Sequence, residues 1–166
     1  MQFMPANYSG EPRIGELAPA LSVELEDQDG RKTRLEQARG RNVILYFYPR
    51  DGTPGCTVEG REFADLEEQF RAHGCELFGV STDSVASHRE FASKLGLTFR
   101  LLSDPGGDLA RAFAVWRDGR VARATFVLDR ELRVRRMFRE VSPRGHARQV
   151  LDFVQSMLES HRMLGG

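Results

Sequence analysis

The chain carries two cysteines, Cys56 and Cys75, and they stand in unlike settings. Cys56 lies in YFYPRDGTPGCTVEG (Tyr46 to Gly60), where an aromatic and β-branched run passes through a Pro/Gly-rich loop into a helical pattern. That places its thiol at the start of a helix. Backbone N–H groups without intrahelical acceptors and the positive end of the macrodipole favour an anion there, and the thiolate is the nucleophilic form of cysteine. The Gly, Pro and Thr around Cys56 argue against a packing role. Cys75 stands at the entry of an apolar strand pattern and reads as structural, with an intermolecular resolving role as the alternative.

Other constellations that use a cysteine fail on spacing. A phosphatase-type Cys-x₅-Arg loop would need arginine at position 62, where Glu62 would repel phosphate. A Cys-x-x-Cys redox pair is excluded by Glu59. The histidines His73, His88, His146 and His161 fall at helix ends, in a first turn or on a helix face, where structural roles are usual. No two of them have ligand-pair spacing on one element, so no metal or cofactor is expected.

Composition narrows the class further. In 166 residues, 24 Lys plus Arg balance 24 Asp plus Glu, so nothing draws the chain to phosphate backbones or anionic membranes. Two cysteines cannot form a disulfide framework. The start MQFMPANYSG has no basic or apolar leader region, and no apolar run approaches the roughly 18 residues of a spanning helix. The expectation is a cytoplasmic protein with no nucleic-acid or membrane partner. Among the basic residues only Lys32 and Lys94 are lysines, an imbalance from which no mechanism follows.

The elements that position Cys56 are legible from periodicity. Residues 1–12 form an irregular arm, and 13–166 form a single domain. Leu21 to Asp27 and Arg31 to Leu35 read as a hairpin about Gln28-Asp29-Gly30. Asn42 to Tyr48 is a continuous apolar run, as a central strand covered on both faces requires. Helices are predicted over Thr57 to His73, ended by Gly74, and over Ser84 to Leu95, ended by Gly96. Between and after them come strands at Glu76 to Ser81 and Thr98 to Leu102. A turn at Asp104 to Gly107, a short helix through Leu109 and Phe113, and a hairpin at Arg117-Asp118-Gly119-Arg120 follow. Ala124 to Asp129 is another buried strand, with Leu132 to Arg139 beside it. In that last run Arg133, Arg135 and Arg139 alternate with apolar residues, as on a half-exposed edge. Ser142 as N-cap and Pro143 at the first helical position open a closing helix bearing Val150, Phe153, Val154, Met157 and Leu158. The result is one α/β domain with a mixed sheet.

Pro49-x-x-x-Thr53-x-x-Cys56 resembles the peroxiredoxin active-site signature, and YPRDGTPGCTVE is similar to the peroxiredoxin Q, or bacterioferritin-comigratory-protein, subgroup. IGELAPAL (Ile14 to Leu21) and Arg123-Ala-Thr-Phe-Val-Leu-Asp129 resemble two further segments of that subgroup, in the right order. The resemblance implies a thioredoxin-like fold with a central mixed sheet, flanking helices and an N-terminal β-hairpin. It implies a thiol-dependent peroxidase in which Cys56 attacks hydrogen peroxide or an organic hydroperoxide and becomes a sulfenic acid. Thr53 and the backbone N–H groups of Gly55 and Cys56 would hold the peroxide oxygens, Arg123 would hydrogen-bond thiolate and peroxide, and Pro49 would shield the sulfur.

Many members of the subgroup carry a second cysteine five residues after the first, and others carry it in the next helix. Arg61 and Ala92 stand at those positions. The expected cycle therefore uses one cysteine and an external thiol such as thioredoxin, a glutaredoxin-like protein or a small thiol, in a monomer or alternatively a dimer. The competing class is a redox-sensing or chaperone-like interaction protein in which oxidation of Cys56 controls partner binding.

Overall fold

A computed structural model describes residues 11–165. Most of the arm expected over residues 1–12 lies outside the described residues. The elements run β1 (Leu25–Glu26), β2 (Lys32–Thr33), β3 (Asn42–Phe47), α1 (Pro54–Ala72), β4 (Cys75–Ser81), α2 (Val85–Leu95), β5 (Arg100–Ser103), α3 (Asp108–Ala112), β6 (Trp116–Arg117), β7 (Arg120–Val121), β8 (Ala124–Leu128), β9 (Val134–Arg139) and α4 (His146–Gly165). Seven strands form one mixed sheet in the order β2-β1-β5-β4-β3-β8-β9, and β6 and β7 pair apart from it. Strands β3, β4 and β5 are parallel, and β8 joins β3 antiparallel.

The unbroken apolar character of β3 has a direct cause. Val43, Leu45 and Phe47 enter one core with Phe78, Phe113 and Phe126, while Ile44, Tyr46 and Tyr48 enter a second with Phe63, Phe70 and Leu151. Side chains alternate across a strand, so only a strand covered on both faces needs apolar residues at every position. α1, α2 and α4 contribute to the second core; α3 and a 3-10 turn at Leu35–Ala38 contribute to the first.

Several expected boundaries shift. Of Leu21 to Asp27 only Leu25–Glu26 joins the sheet, because Ala20 takes a positive φ and starts a turn, while Asp27 Oδ1 accepts from the Asp29 and Arg31 N–H groups and curls the chain. α1 begins at Pro54 rather than Thr57: Thr53, extended, accepts from the Cys56 N–H, and Pro54 supplies a preset helical φ. The closing helix begins at His146, so Ser142 is not its N-cap. Gly145 has φ +84°, outside the helical region, and its N–H donates to Glu62 Oε1 at 2.8 Å. β9 starts at Val134, since Leu132 has φ +65° in a turn. A bulge then sets Val134 opposite Leu128 and Arg136 opposite Val127, leaving Arg135 as the extra residue and breaking the expected alternation.

Leu151, fully buried in the second core, ties α4 to the sheet. Leu151→Ala should lower stability by about 2–5 kcal/mol, read as a lower urea midpoint, without altering the chemistry at Cys56.

Candidate active site

The register of β3 and β8 sets the site's location. Ala124 lies opposite Phe47, so Arg123, just before β8, arrives where β3 ends and the loop to α1 begins. α1 starts after that loop, with Thr53 as N-cap and Cys56 in the first turn. Two chain segments far apart in sequence thus meet at the C-terminal edge of the sheet, where open α/β sheets place their ligands.

Arg123 is the hub. Its Nη2 donates to Cys56 Sγ at 3.4 Å and its Nη1 donates to Glu59 Oε1 at 2.6 Å. Both partners are buried: Cys56 is 2 % exposed and Glu59 fully enclosed. Burial pushes the Glu59 carboxyl up to about 7, against the pull of the Arg123 charge. Burial works against the Arg123 charge as well, yet Glu59 and Cys56 more than offset it and hold the guanidinium protonated. Tyr46, one core layer below, has a buried hydroxyl without a hydrogen-bond partner among the described residues. Burial, with Glu59 and Cys56 nearby, raises it well above its ordinary value.

Thr53 and Gly55 complete the thiol's surroundings. Thr53 Oγ1 donates to the Arg50 carbonyl at 3.2 Å and accepts from the Cys56 N–H at 3.4 Å. One of the two N–H groups expected to hold a peroxide is therefore already directed at Thr53, while Gly55 N–H belongs to the first turn, which has no intrahelical acceptor. A Cβ at Gly55 would lie 3.1 Å from Arg123 Nη2 and 3.2 Å from Pro143 Cγ. Glycine leaves room for the guanidinium to reach the sulfur and for the turn before α4 to close over the helix end. Pro49 is exposed in the bend after β3.

Cys75 occupies the opposite end of the sheet, pairing with Asn42 at the start of β3. Its Sγ donates to the His73 carbonyl at 3.8 Å, and burial pushes the thiol up to about 12. The helical stretch from Cys56 to Ala72, roughly 17 residues of α1, separates the two cysteines by about 25 Å at 1.5 Å per residue. A disulfide needs Cα atoms within roughly 7 Å, so the folded chain cannot join them.

Glu59 is the site residue that motif reading passes over. The buried side of α1 runs Cys56, Glu59, Gly60, Phe63, Glu67, Phe70. A carboxylate at helical spacing within an apolar stripe, one turn from Cys56, is the signal that could have found it.

Comparison with known proteins gives the chain its family. A model described as the AhpC/TSA family matches residues 14–137. Peroxiredoxin Bcp of Bacillus subtilis (strain 168) is 37% identical over 154 residues, 88% of this chain and 97% of that protein. The chloroplastic peroxiredoxin Q of Oryza sativa subsp. japonica is 40% identical over 152 residues, 89% of this chain and 69% of that one. A solved structure of the Xanthomonas campestris bacterioferritin comigratory protein, a study of its alkyl peroxide reduction activity, matches with a TM-score of 0.83 and 35% identity, covering 87% of this chain and 99% of that chain. A cysteine-to-serine mutant of Xylella fastidiosa PrxQ gives a TM-score of 0.86 at 33% identity, covering 90% of this chain and 99% of that chain. The chain belongs to the AhpC/TSA family, with the peroxiredoxin Q and Bcp proteins as its relatives and their thioredoxin fold as its own.

Two predictions test the hub. Gly55→Ala should displace Arg123 and slow oxidation of Cys56 by peroxide about tenfold, read in a single-turnover assay, with little change in the melting temperature. Glu59, raised from 4.5 to about 7, holds a proton in the folded state that the unfolded chain has lost, so its contribution to stability falls as pH rises between those values. His146, lowered from 6.5 to about 4 mainly by burial, works in the opposite sense, adding stability as pH rises from about 4 to 6.5. Glu59→Gln should remove only the first effect. Relative to the parent it should gain on the order of 3 kcal/mol between pH 4.5 and pH 8 in urea unfolding, and a parallel pair of curves would refute the assignment.

Proposed function

We propose that residues 13–166 form one catalytic domain of a thiol-dependent peroxidase, with Cys56 as the peroxidatic residue. The observation that carries this reading is the Arg123 guanidinium donating to the Cys56 sulfur at the N-terminus of α1. The guanidinium is a permanently charged donor aimed at the reacting sulfur.

In the first half-reaction the Cys56 thiolate attacks the terminal oxygen of a hydroperoxide. The S–O bond forms, the O–O bond breaks, and alkoxide or hydroxide leaves and takes a proton from solvent to become alcohol or water. The Thr53 hydroxyl, which gives its own proton to the Arg50 carbonyl, offers a lone pair to the peroxide O–H. Gly55 N–H and Arg123 face the negative charge that develops as the O–O bond lengthens. In the second half-reaction an external thiol attacks the sulfenic sulfur and expels water, forming a mixed disulfide. A second thiol then releases Cys56 and leaves the reductant as a disulfide. Arg61 and Ala92 supply no internal thiol and Cys75 is a helix length away, so thioredoxin, a glutaredoxin-like protein or a small thiol fits the second step. The likeness to the peroxiredoxin Q and Bcp proteins favours a monomer, and the bacterial Bcp relative a cytoplasmic one. Among the described residues no helix is long and apolar enough to cross a membrane.

Cys56→Ser should reduce peroxide consumption at least about a thousandfold, whereas Cys75→Ser should largely preserve it. With an excess of reductant the parent should consume many equivalents of peroxide; consumption that stops at one equivalent would favour a sensor. Mass spectrometry of peroxide-treated protein should find no Cys56–Cys75 link within one chain, and finding that link would overturn the one-cysteine cycle.

A further inference from the structure

A second polar cluster lies behind the loop that carries Thr53. Asp51, Asp83 and His88 bring one ligand-type atom each within 4.8 Å of one another, a spacing a cation could use. Hydrogen bonds already occupy the atoms concerned. Asp51 Oδ1 accepts from the Tyr48 hydroxyl at 2.6 Å, and Asp51 Oδ2 accepts from Ser87 Oγ at 2.8 Å and faces His88 Nδ1 at 2.7 Å. Asp83 Oδ2 accepts from the Asp51 N–H at 2.8 Å and from Ser81 Oγ at 2.5 Å.

The tautomer of His88 follows from its partners. Its Nε2 lies 3.0 Å from the Leu102 carbonyl, which can only accept, so that nitrogen carries a hydrogen. The short Nδ1–Oδ2 contact then requires one proton between ring and carboxylate. His88 is fully enclosed and the Asp51 side chain is only 5% exposed, so water replaces neither partner. Loss of either would leave a buried charge or polar atom unmatched, which makes this pair a stiff tie between α2 and the loop.

That tie acts on the middle of the turn that sets the site. Asp51 is pinned through its side chain to α2 and through its N–H to Asp83 after β4. Gly52 follows with φ +82°, and Thr53 closes the turn by donating to the Arg50 carbonyl before capping Cys56. The rest of α1 is held separately by Phe63 and Phe70 in the core. A loosened Asp51 therefore moves Thr53 and the first-turn N–H groups while the helix body stays in place.

We propose that Asp51 and His88 are positioning residues for the peroxide half-reaction: through their shared proton they lock the Arg50–Thr53 turn, and so Thr53 and the Gly55 N–H, around Cys56. This rests on the peroxidase reading above, and the test assumes a parent protein that turns over peroxide, so failure of that reading would be seen in the parent before any variant is compared.

Asp51→Asn, His88→Gln and the double variant are to be compared with Val154→Ala, a core truncation away from the loop, in steady-state assays that vary peroxide and reductant separately. Each single variant should lower kcat/KM for peroxide by about tenfold or more and leave kcat/KM for the reductant within about threefold, because the second half-reaction needs the sulfur but not the peroxide cradle. The double variant should fall no further than the worse single variant, as expected when both act through one tie. Val154→Ala should lower the melting temperature and leave both constants unchanged. Ser87→Ala removes one donor from the half-buried edge of the network and should slow the peroxide half-reaction about threefold. It decides the matter if the buried variants do not fold. Parent-like peroxide constants in the folded variants, or equal losses in both half-reactions, would overturn the proposal.

Discussion

The site depends on one guanidinium shared between a buried carboxylate and a buried sulfur. An ion pair such as Arg123–Glu59 is weak evidence for stability, because stripping water from both charges costs about as much as their attraction returns. Its effect is positional. Glu59 leaves Arg123 few rotamers, so its second amino group points at Cys56 before any substrate arrives. Most other features of the edge make room for that contact or support it. β8 runs antiparallel to β3 so that Arg123 reaches the loop, Gly55 omits the side chain that would collide with it, and Pro143 covers the outer side.

Motifs with local causes were legible in the sequence. The two-faced burial of β3, the αL cap at Gly96 and the hairpin at Asp118-Gly119 follow from residue types that admit few alternatives. Boundaries were not legible where a distant partner decides them. Ser142-Pro143 has the chemistry of a helix start, yet Glu62 draws the Gly145 N–H aside and the helix waits until His146. The bulge opposite Val127 in β9 has the same character, since nothing in the arginine pattern shows which residue is extra.

The carboxylates on α1 show the same limit within the site. Glu59 and Glu67 both interrupt the buried stripe of the helix. Glu67 has a partner one turn on, Arg71 at 2.8 Å, and it also accepts from Thr98. Glu59 finds Arg123 64 positions away. By sequence they are two acids in one apolar face; only the pairing of β3 with β8 separates a local tie from a partner of the guanidinium beside Cys56.

Solvent exposure alone does not tell the two cysteines apart, for Cys56 and Cys75 are 2 % and 4 % exposed. What differs is the end of α1 that each one meets. Cys56 lies in the first turn, among N–H groups that lack acceptors and beside Arg123. Cys75 opens β4, beyond His73 and Gly74 at the other end of α1, and its Sγ meets the His73 oxygen. Cys56 thus has a charged donor directed at its sulfur, whereas burial alone pushes the Cys75 thiol up. Consecutive parallel strands force this arrangement. The helix that crosses from β3 to β4 must start at the C-terminal end of one strand and return to the N-terminal end of the next, so a single helix sets two enclosed sulfurs at opposite ends of the sheet.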